Sequence, residues 1–150
     1  MERAVLDADL VIGAVLVAGA KAPTLVSNDL VSRMKPGSVL VDISVDQGGC
    51  FADTRATTHD DPVFRVHDST FYCVANMPGA VPHTSTYALT NITLPYVVAL
   101  ADRGWQTACA NDPALAAGLS VHHGALVSAP VAQAHHLPLH PLSDVLGATA

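Results

Sequence analysis

Between residues 10 and 45 the chain carries two strand-like, largely apolar runs with a helix signal between them, and that spacing restricts the fold more than any other feature. The first run is Leu10-Val11-Ile12-Gly13-Ala14-Val15-Leu16-Val17; the second is Val39-Leu40-Val41-Asp42-Ile43-Ser44-Val45. The first run, unbroken and β-rich, fits a strand covered on both faces, as in a parallel sheet, and the second, apolar apart from Asp42 and Ser44, reads as another strand. Ser27-Asn28-Asp29 offers N-caps for a helix through Met34, and Pro36-Gly37 stops it. Strand, helix and strand within about 35 residues make a βαβ unit, whose crossover is right-handed.

The second run ends in Asp46-Gln47-Gly48-Gly49. In an open parallel sheet the carboxyl ends of the strands face the ligand crevice, so Asp46 is expected at a cofactor rim. The bland alternative is a turn-capping Asp, since Asp-x-Gly sequences favour turns. Residues 50–62 are polar and read as a surface loop. Val63–His67 reads as a short strand and Thr70–Ala75 as a better one, ending in the turn Asn76-Met77-Pro78-Gly79. From His83 the period becomes helical. Leu89, Ile92, Tyr96, Val97 and Leu100 fall three or four residues apart, a stripe expected to face a core or a subunit contact. Pro95 is expected to kink this helix and Gly104 to end it. Beyond it stand a short helix after Asn111-Asp112-Pro113, a strand near Ala125–Ser128 and a helix after Pro130.

Half of the 150 residues are apolar and 13% are charged, which argues against disorder. The formal charge of -6, with no basic cluster, makes nucleic acid and anionic membrane poor partners. No run reaches the roughly 20 apolar residues of a membrane span. The charged opening (Glu2, Arg3, Asp7, Asp9) is unlike a signal peptide, and a cytoplasmic protein is expected. Cys50, Cys73 and Cys109 are odd in number and widely spaced, so they read as reduced thiols. His122-His123 and His135-His136 are adjacent pairs, whereas facing helical ligands sit three or four apart. Solvated histidines are expected there, and no metal site.

No G-x-G-x-x-G occurs anywhere. Gly48-Gly49 follows a strand but opens no helix, so it is not the dinucleotide fingerprint. Asp42 reads as a satisfied polar group without a site role, Lys21 as solvated, Cys50 and Cys73 as buried small hydrophobes, and the tyrosines as packing residues.

Six strings nevertheless resemble one family. They are Val11–Val17, Gly19-Ala20-Lys21-Ala22-Pro23, Met34-Lys35-Pro36-Gly37-Ser38-Val39, Asp46-Gln47-Gly48-Gly49-Cys50-Phe51, Phe71-Tyr72-Cys73-Val74-Ala75-Asn76-Met77-Pro78-Gly79 and Thr84-Ser85-Thr86-Tyr87-Ala88-Leu89-Thr90-Asn91. Together, in this order, they resemble the alanine dehydrogenase and NAD(P) transhydrogenase alpha-subunit family. Asp46-Gln47 and Asn76-Met77-Pro78 favour alanine dehydrogenase within it. The likeness weakens after residue 105. Ala18, Ser44 and His83 are mild departures from the pattern.

The resemblance implies reversible conversion of L-alanine to pyruvate and ammonia with NAD as hydride carrier, in a homo-oligomer, commonly a hexamer. It implies an α/β fold: the second half of a Rossmann-type doubly wound parallel sheet, then a long connecting helix and the C-terminal part of a substrate domain. The implied boundaries are 1–81, 82–104 and 105–150. Carried onto this sequence, Val15 and Leu16 line the cofactor after one strand, Ile43 and Asp46 after the next, and Val74, Asn76 and Met77 after the third. Asp46 takes the catalytic role, near ribose and substrate. The family's Gly-rich loop and its substrate-binding Arg, Lys and His would precede Met1, so these 150 residues alone are expected to be inactive, with weak or no NAD binding. Two alternatives remain: a transhydrogenase-like domain with a membrane partner, and a non-enzymatic α/β remnant that pairs with another chain through an exposed sheet edge.

Overall fold

The computed structural model describes residues 1–147, which form two compact units, Met1–Ala80 and Val81 onward. In the first, α1 (Glu2–Asp7) leads into β1 (Leu10–Gly13), α2 (Asn28–Ser32) and β2 (Val39–Asp42). A 3-10 turn (Ile43–Gln47), the hairpin β3 (Val63–Val66) and β4 (Ser69–Tyr72), and a second 3-10 turn (Met77–Ala80) complete it. The sheet order is β1-β2-β4-β3. β1, β2 and β4 run parallel, with Gly13 opposite Asp42 and Leu40 opposite Phe71; β3 runs antiparallel at one edge and β1 forms the other.

The Ser27 side chain caps α2 by accepting the Leu30 N–H at 3.2 Å, as its position before Asn28-Asp29 predicts. α2 presents Leu30 and Val31 to the sheet, where they join Leu40, Phe71, Cys73 and Phe51 in the core. Phe71 stacks edge-on against Phe51 and tilted against Phe64, with ring centroids 6.0 and 5.4 Å apart. Full burial of a side chain such as Leu40 or Phe71 stabilises the fold by about 1.5–3 kcal/mol.

The core covers one face of this sheet. On β1 the alternation leaves Leu10 and Ile12 exposed, so the expected double-sided burial of this strand is not met. Both early strands are also shorter than their apolar runs. β1 stops at Gly13 and β2 at Asp42, because Asp42 turns its carboxylate back onto the chain and starts the 3-10 turn. The 50–62 segment is less of a surface loop than its polarity implies. Cys50, Phe51 and Thr57 are buried, and the segment adds bridges from Phe51 to Val26 and from Thr57 to Val74.

The second unit opens with α3 (Pro82–Asn111), whose helical run is broken at Gly104 by φ 73° and ψ 156°. Then follow α4 (Pro113–Gly118), the two-stranded ribbon β5 (Val121–His122) and β6 (Ala125–Leu126), α5 (Ala129–His135) and α6 (Leu142–Leu146). Asp112 caps α4 by accepting the Ala114 and Leu115 N–H groups. The buried residues here are Ala108, Cys109, Leu126, Ala132 and Val145.

The expected core stripe on α3 is not one in this chain. Leu89, Ile92, Tyr96, Val97 and Leu100 are all exposed, as are Tyr87, Leu94 and Val98. The apolar residues run round the helix instead of along one side, so three- and four-residue spacings can be drawn through them without defining a buried face. Among the described residues no helix is long and apolar enough to cross a membrane.

Candidate functional site

Because β1, β2 and β4 are parallel, their carboxyl ends open on the same side of the sheet. The chain leaves these ends through Ala14–Val17, through the 3-10 turn Ile43–Gln47 and through Cys73–Met77. Ala14, Val15, Leu16, Ile43, Ser44, Asp46 and Gln47 line a cleft of about 250 Å³ at this side. Four of the predicted site residues, Val15, Leu16, Ile43 and Asp46, are therefore neighbours in one cleft. The third exit reaches it through Asp46, whose Oδ2 accepts the backbone N–H of Asn76 at 3.3 Å. Asn76 adopts φ 54°, a left-handed conformation that asparagine tolerates better than most residues. Its carbonyl then accepts the Gly79 N–H at 2.8 Å, closing the turn that holds Met77.

Val74 is placed differently from the other predicted residues. Its side chain is fully buried, so it supports the third exit from below. Lys21 is exposed at its tip, and its aliphatic stem lies across Gly48, where an added Cβ would stand 2.9 Å from Cε. The Gln47 carbonyl accepts the Ala22 N–H at 2.9 Å, so the Gly19–Pro23 segment is tied to the end of the 3-10 turn.

Under the cleft lies a residue to which the sequence assigns no site role. Asp42 is fully buried at the end of β2. Its Oδ1 accepts the Ser44 N–H at 2.9 Å and its Oδ2 accepts the Cys50 N–H at 2.8 Å. The Thr54 hydroxyl and, at 3.4 Å, the Phe51 N–H also donate to Oδ2. A buried carboxylate with this many donors organises the loop that surrounds it. Ser44 extends the network: its hydroxyl donates to the Val15 carbonyl at 2.8 Å. The local sign of this arrangement is an Asp at the end of an apolar strand with a Ser two positions on, a capping pattern.

Burial, reinforced by the nearby Asp42 carboxylate, pushes the Cys50 thiol up; the same causes push Cys73 up to about 11. Both thiols stay protonated at neutral pH and are poor nucleophiles. Among the described residues no group of three or more His, Cys, Asp or Glu side chains could hold a metal ion. His122 packs on Trp105 with ring centroids 4.3 Å apart, and His123 packs on His122 at 4.1 Å.

Residues 1–129 match the family described as "Alanine dehydrogenase/PNT, C-terminal domain". The chain is 69% identical over 146 residues to the alanine dehydrogenase of Mycolicibacterium smegmatis and 64% identical to that of Mycobacterium tuberculosis. Each alignment covers 97% of this chain and 39% of the relative, so the chain spans about two-fifths of the length of the curated relatives it matches. Among solved structures, an L-alanine dehydrogenase aligns over 90% of this chain and 37% of its own, at 52% identity and a TM-score of 0.72. A transhydrogenase from Sinorhizobium meliloti aligns over 57% of this chain and 24% of its own, at 29% identity and a TM-score of 0.52.

Proposed function

The chain belongs to the alanine dehydrogenase/PNT C-terminal domain family, and from that premise we propose that it supplies one wall of the nucleotide pocket of an NAD-dependent L-alanine dehydrogenase. The reaction is the reversible oxidative deamination of L-alanine to pyruvate and ammonia. The observation that carries this reading is the juxtaposition of Asp46 with the Val15–Leu16 exit and the Asn76 amide at the carboxyl ends of three parallel strands. The high identity to enzymes named alanine dehydrogenase, over nearly the whole chain, favours this reaction over the transhydrogenase alternative.

In this reading Val15, Leu16 and Ile43 give apolar contact to the nucleotide, and Asn76 and Met77 border the nicotinamide end. Val74 holds that turn from beneath. Asp46 is exposed, oriented by the Asn76 N–H, and free to meet the ribose and to orient the amine or water at the reacting carbon. NAD, when bound, supplies the hydride acceptor. The residues present fit one side of such a ligand: an apolar wall and a carboxylate. The G-x-G-x-x-G cradle is not among the 150 residues, so the other side of the nucleotide needs further protein. The sheet reads as the second half of a doubly wound Rossmann layer. Residues 1–81 form the cofactor part, 82–104 the connecting helix and 105–150 part of the substrate domain. A cytoplasmic homo-oligomer, hexameric by family likeness, completes the reading.

The test is a chimera in which this chain replaces the matching segment of the Mycolicibacterium smegmatis enzyme. Alanine-dependent NADH formation is expected. Asp46→Asn should lower kcat by about 10²–10⁴, the range of general acid–base contributions, while weakening NADH binding far less. A chimera without alanine-dependent turnover, or an Asp46→Asn form with undiminished kcat, would overturn the reading.

A further inference from the structure

We propose that Ser44 is a positioning residue, a latch that holds the Val15–Leu16 wall of the cleft to the Asp46 turn. The inference rests on the nucleotide reading above for its functional consequence, but its geometry stands apart from that reading. The ladder between β1 and β2 pairs residues only as far as Gly13 and Asp42. Beyond that point the two chains diverge into the cleft walls, Ala14–Val17 on one side and Ile43–Gln47 on the other. Ser44 bridges the gap. Its N–H is held by Asp42 Oδ1 at 2.9 Å, and its hydroxyl reaches the Val15 carbonyl at 2.8 Å, 29 residues away in sequence.

Ser44 is only 5% exposed, whereas Ile43 and Asp46 on the same turn are open to the cleft. It borders the cleft with little surface of its own, and because its hydroxyl is donated to the Val15 carbonyl it acts through Val15. The anchor is rigid, because Asp42 is itself fixed by the Cys50 N–H and the Thr54 hydroxyl. The 3-10 geometry of residues 43–47 directs the Ser44 hydroxyl toward Val15 while leaving Asp46 outward. Val15 also packs on the core and its backbone meets the Cys50 thiol, but the Ser44 hydroxyl is the side-chain donor to its carbonyl, and the sheet ladder ends before it, so the consequence of losing the hydroxyl is local. The Val15 carbonyl is released, Leu16 loses its fixed place, and the apolar contact offered to a nucleotide becomes mobile.

The test uses the full chain. Backbone order parameters at Val15 and Leu16 in Ser44→Ala should fall from the rigid range of about 0.85 toward about 0.6, while Leu40 and Val41 stay unchanged. Ser44→Thr, which restores a hydroxyl, should recover the order. Unchanged order at 15–16 in Ser44→Ala, or equal loosening of 40–41, overturns the latch. Should Ser44→Ala fail to fold, the unaltered chain decides: a slowly exchanging Ser44 hydroxyl proton with cross-relaxation to Val15 supports the latch, and a freely exchanging one overturns it. In the mycobacterial chimera, Ser44→Ala should raise the KM for NADH about fivefold, with kcat within about twofold, and Ser44→Thr should reverse it. A chimera inactive before any substitution counts against the nucleotide reading alone, and the order parameters still settle the latch.

Discussion

Asp42 and Cys50 are joined by a hydrogen bond of 2.8 Å from the Cys50 N–H to the Asp42 carboxylate, and this bond closes the loop that carries Asp46 and the glycine pair. The same carboxylate takes the Ser44 N–H and the Thr54 hydroxyl, so one buried side chain holds the loop at its start, middle and end. Asp42→Ala would leave several buried donors without an acceptor. Each such loss costs about 1–3 kcal/mol, and the expected destabilisation is about 3 kcal/mol or more. Asp42→Asn should recover only part of it, because one of its two acceptor positions becomes a donor facing donors. Urea unfolding followed by circular dichroism measures both. A loss below about 1 kcal/mol for the alanine variant would show that the loop does not depend on Asp42.

Gly49 and Gly37 separate strain from crowding. Both have positive φ, 77° and 83°. A Cβ on Gly37 would meet nothing within 4 Å, whereas one on Gly49 would collide with the Thr54 side chain and stand 2.9 Å from Asp42 Oδ2. Gly37→Ala should therefore cost only the left-handed backbone penalty, about 1–2 kcal/mol. Gly49→Ala should cost clearly more, by about a further 1–3 kcal/mol, because it also pries at the Asp42 network. Equal unfolding midpoints for the two variants would contradict this packing.

Much of the first unit could be read from local patterns. Apolar runs mark β1, β2 and β4, Ser27 caps α2 as expected, and Asp112 caps α4. These features are set by neighbours within a few residues. The strand lengths were not readable, because β2 ends where Asp42 finds donors eight and twelve residues later, at Cys50 and Thr54. For the same reason Ser44 shows up in the sequence only as a family departure; its partner, Val15, lies 29 residues upstream. The exposed apolar surface of α3 illustrates the opposite problem. Its spacing imitates a core stripe, yet the distribution of apolar residues round the helix, combined with exposure, decides the matter.

Cys73 gives a pH-dependent prediction. Burial raises its thiol from 9.0 to about 11, so the folded chain keeps a proton there that the unfolded chain releases near 9. Between pH 9 and 11 the folded state binds more protons than the unfolded state, and stability falls as pH rises. The stabilisation is fully present below pH 9 and is lost as pH rises through about 11. Cys73→Ala should flatten this part of the stability–pH profile, at the cost of a small cavity that lowers stability equally at every pH. A profile of unchanged slope in that variant would remove Cys73 as the cause. Native Cys73 should also react with a thiol reagent at pH 8 only at the rate at which the chain opens.

The α3 face supplies the last prediction, which separates a core from an assembly contact. Leu89 is 65% exposed and Ile92 is 71% exposed, so neither side chain contributes appreciably to the stability of one copy of this chain. Leu89→Lys with Ile92→Glu removes apolar surface without loss of helix propensity, since lysine matches leucine and glutamate exceeds β-branched isoleucine. At low protein concentration the urea midpoint should therefore stay within about 0.5 kcal/mol of the unaltered chain. The proposed oligomer gives the same substitution a second readout. If the bare face meets another copy, the variant should sediment as a smaller species at concentrations where the unaltered chain associates, and only the unaltered chain should show a midpoint that rises with concentration. A loss of about 2 kcal/mol or more in the dilute chain would mean that Leu89 and Ile92 are core residues after all, as their spacing alone implies.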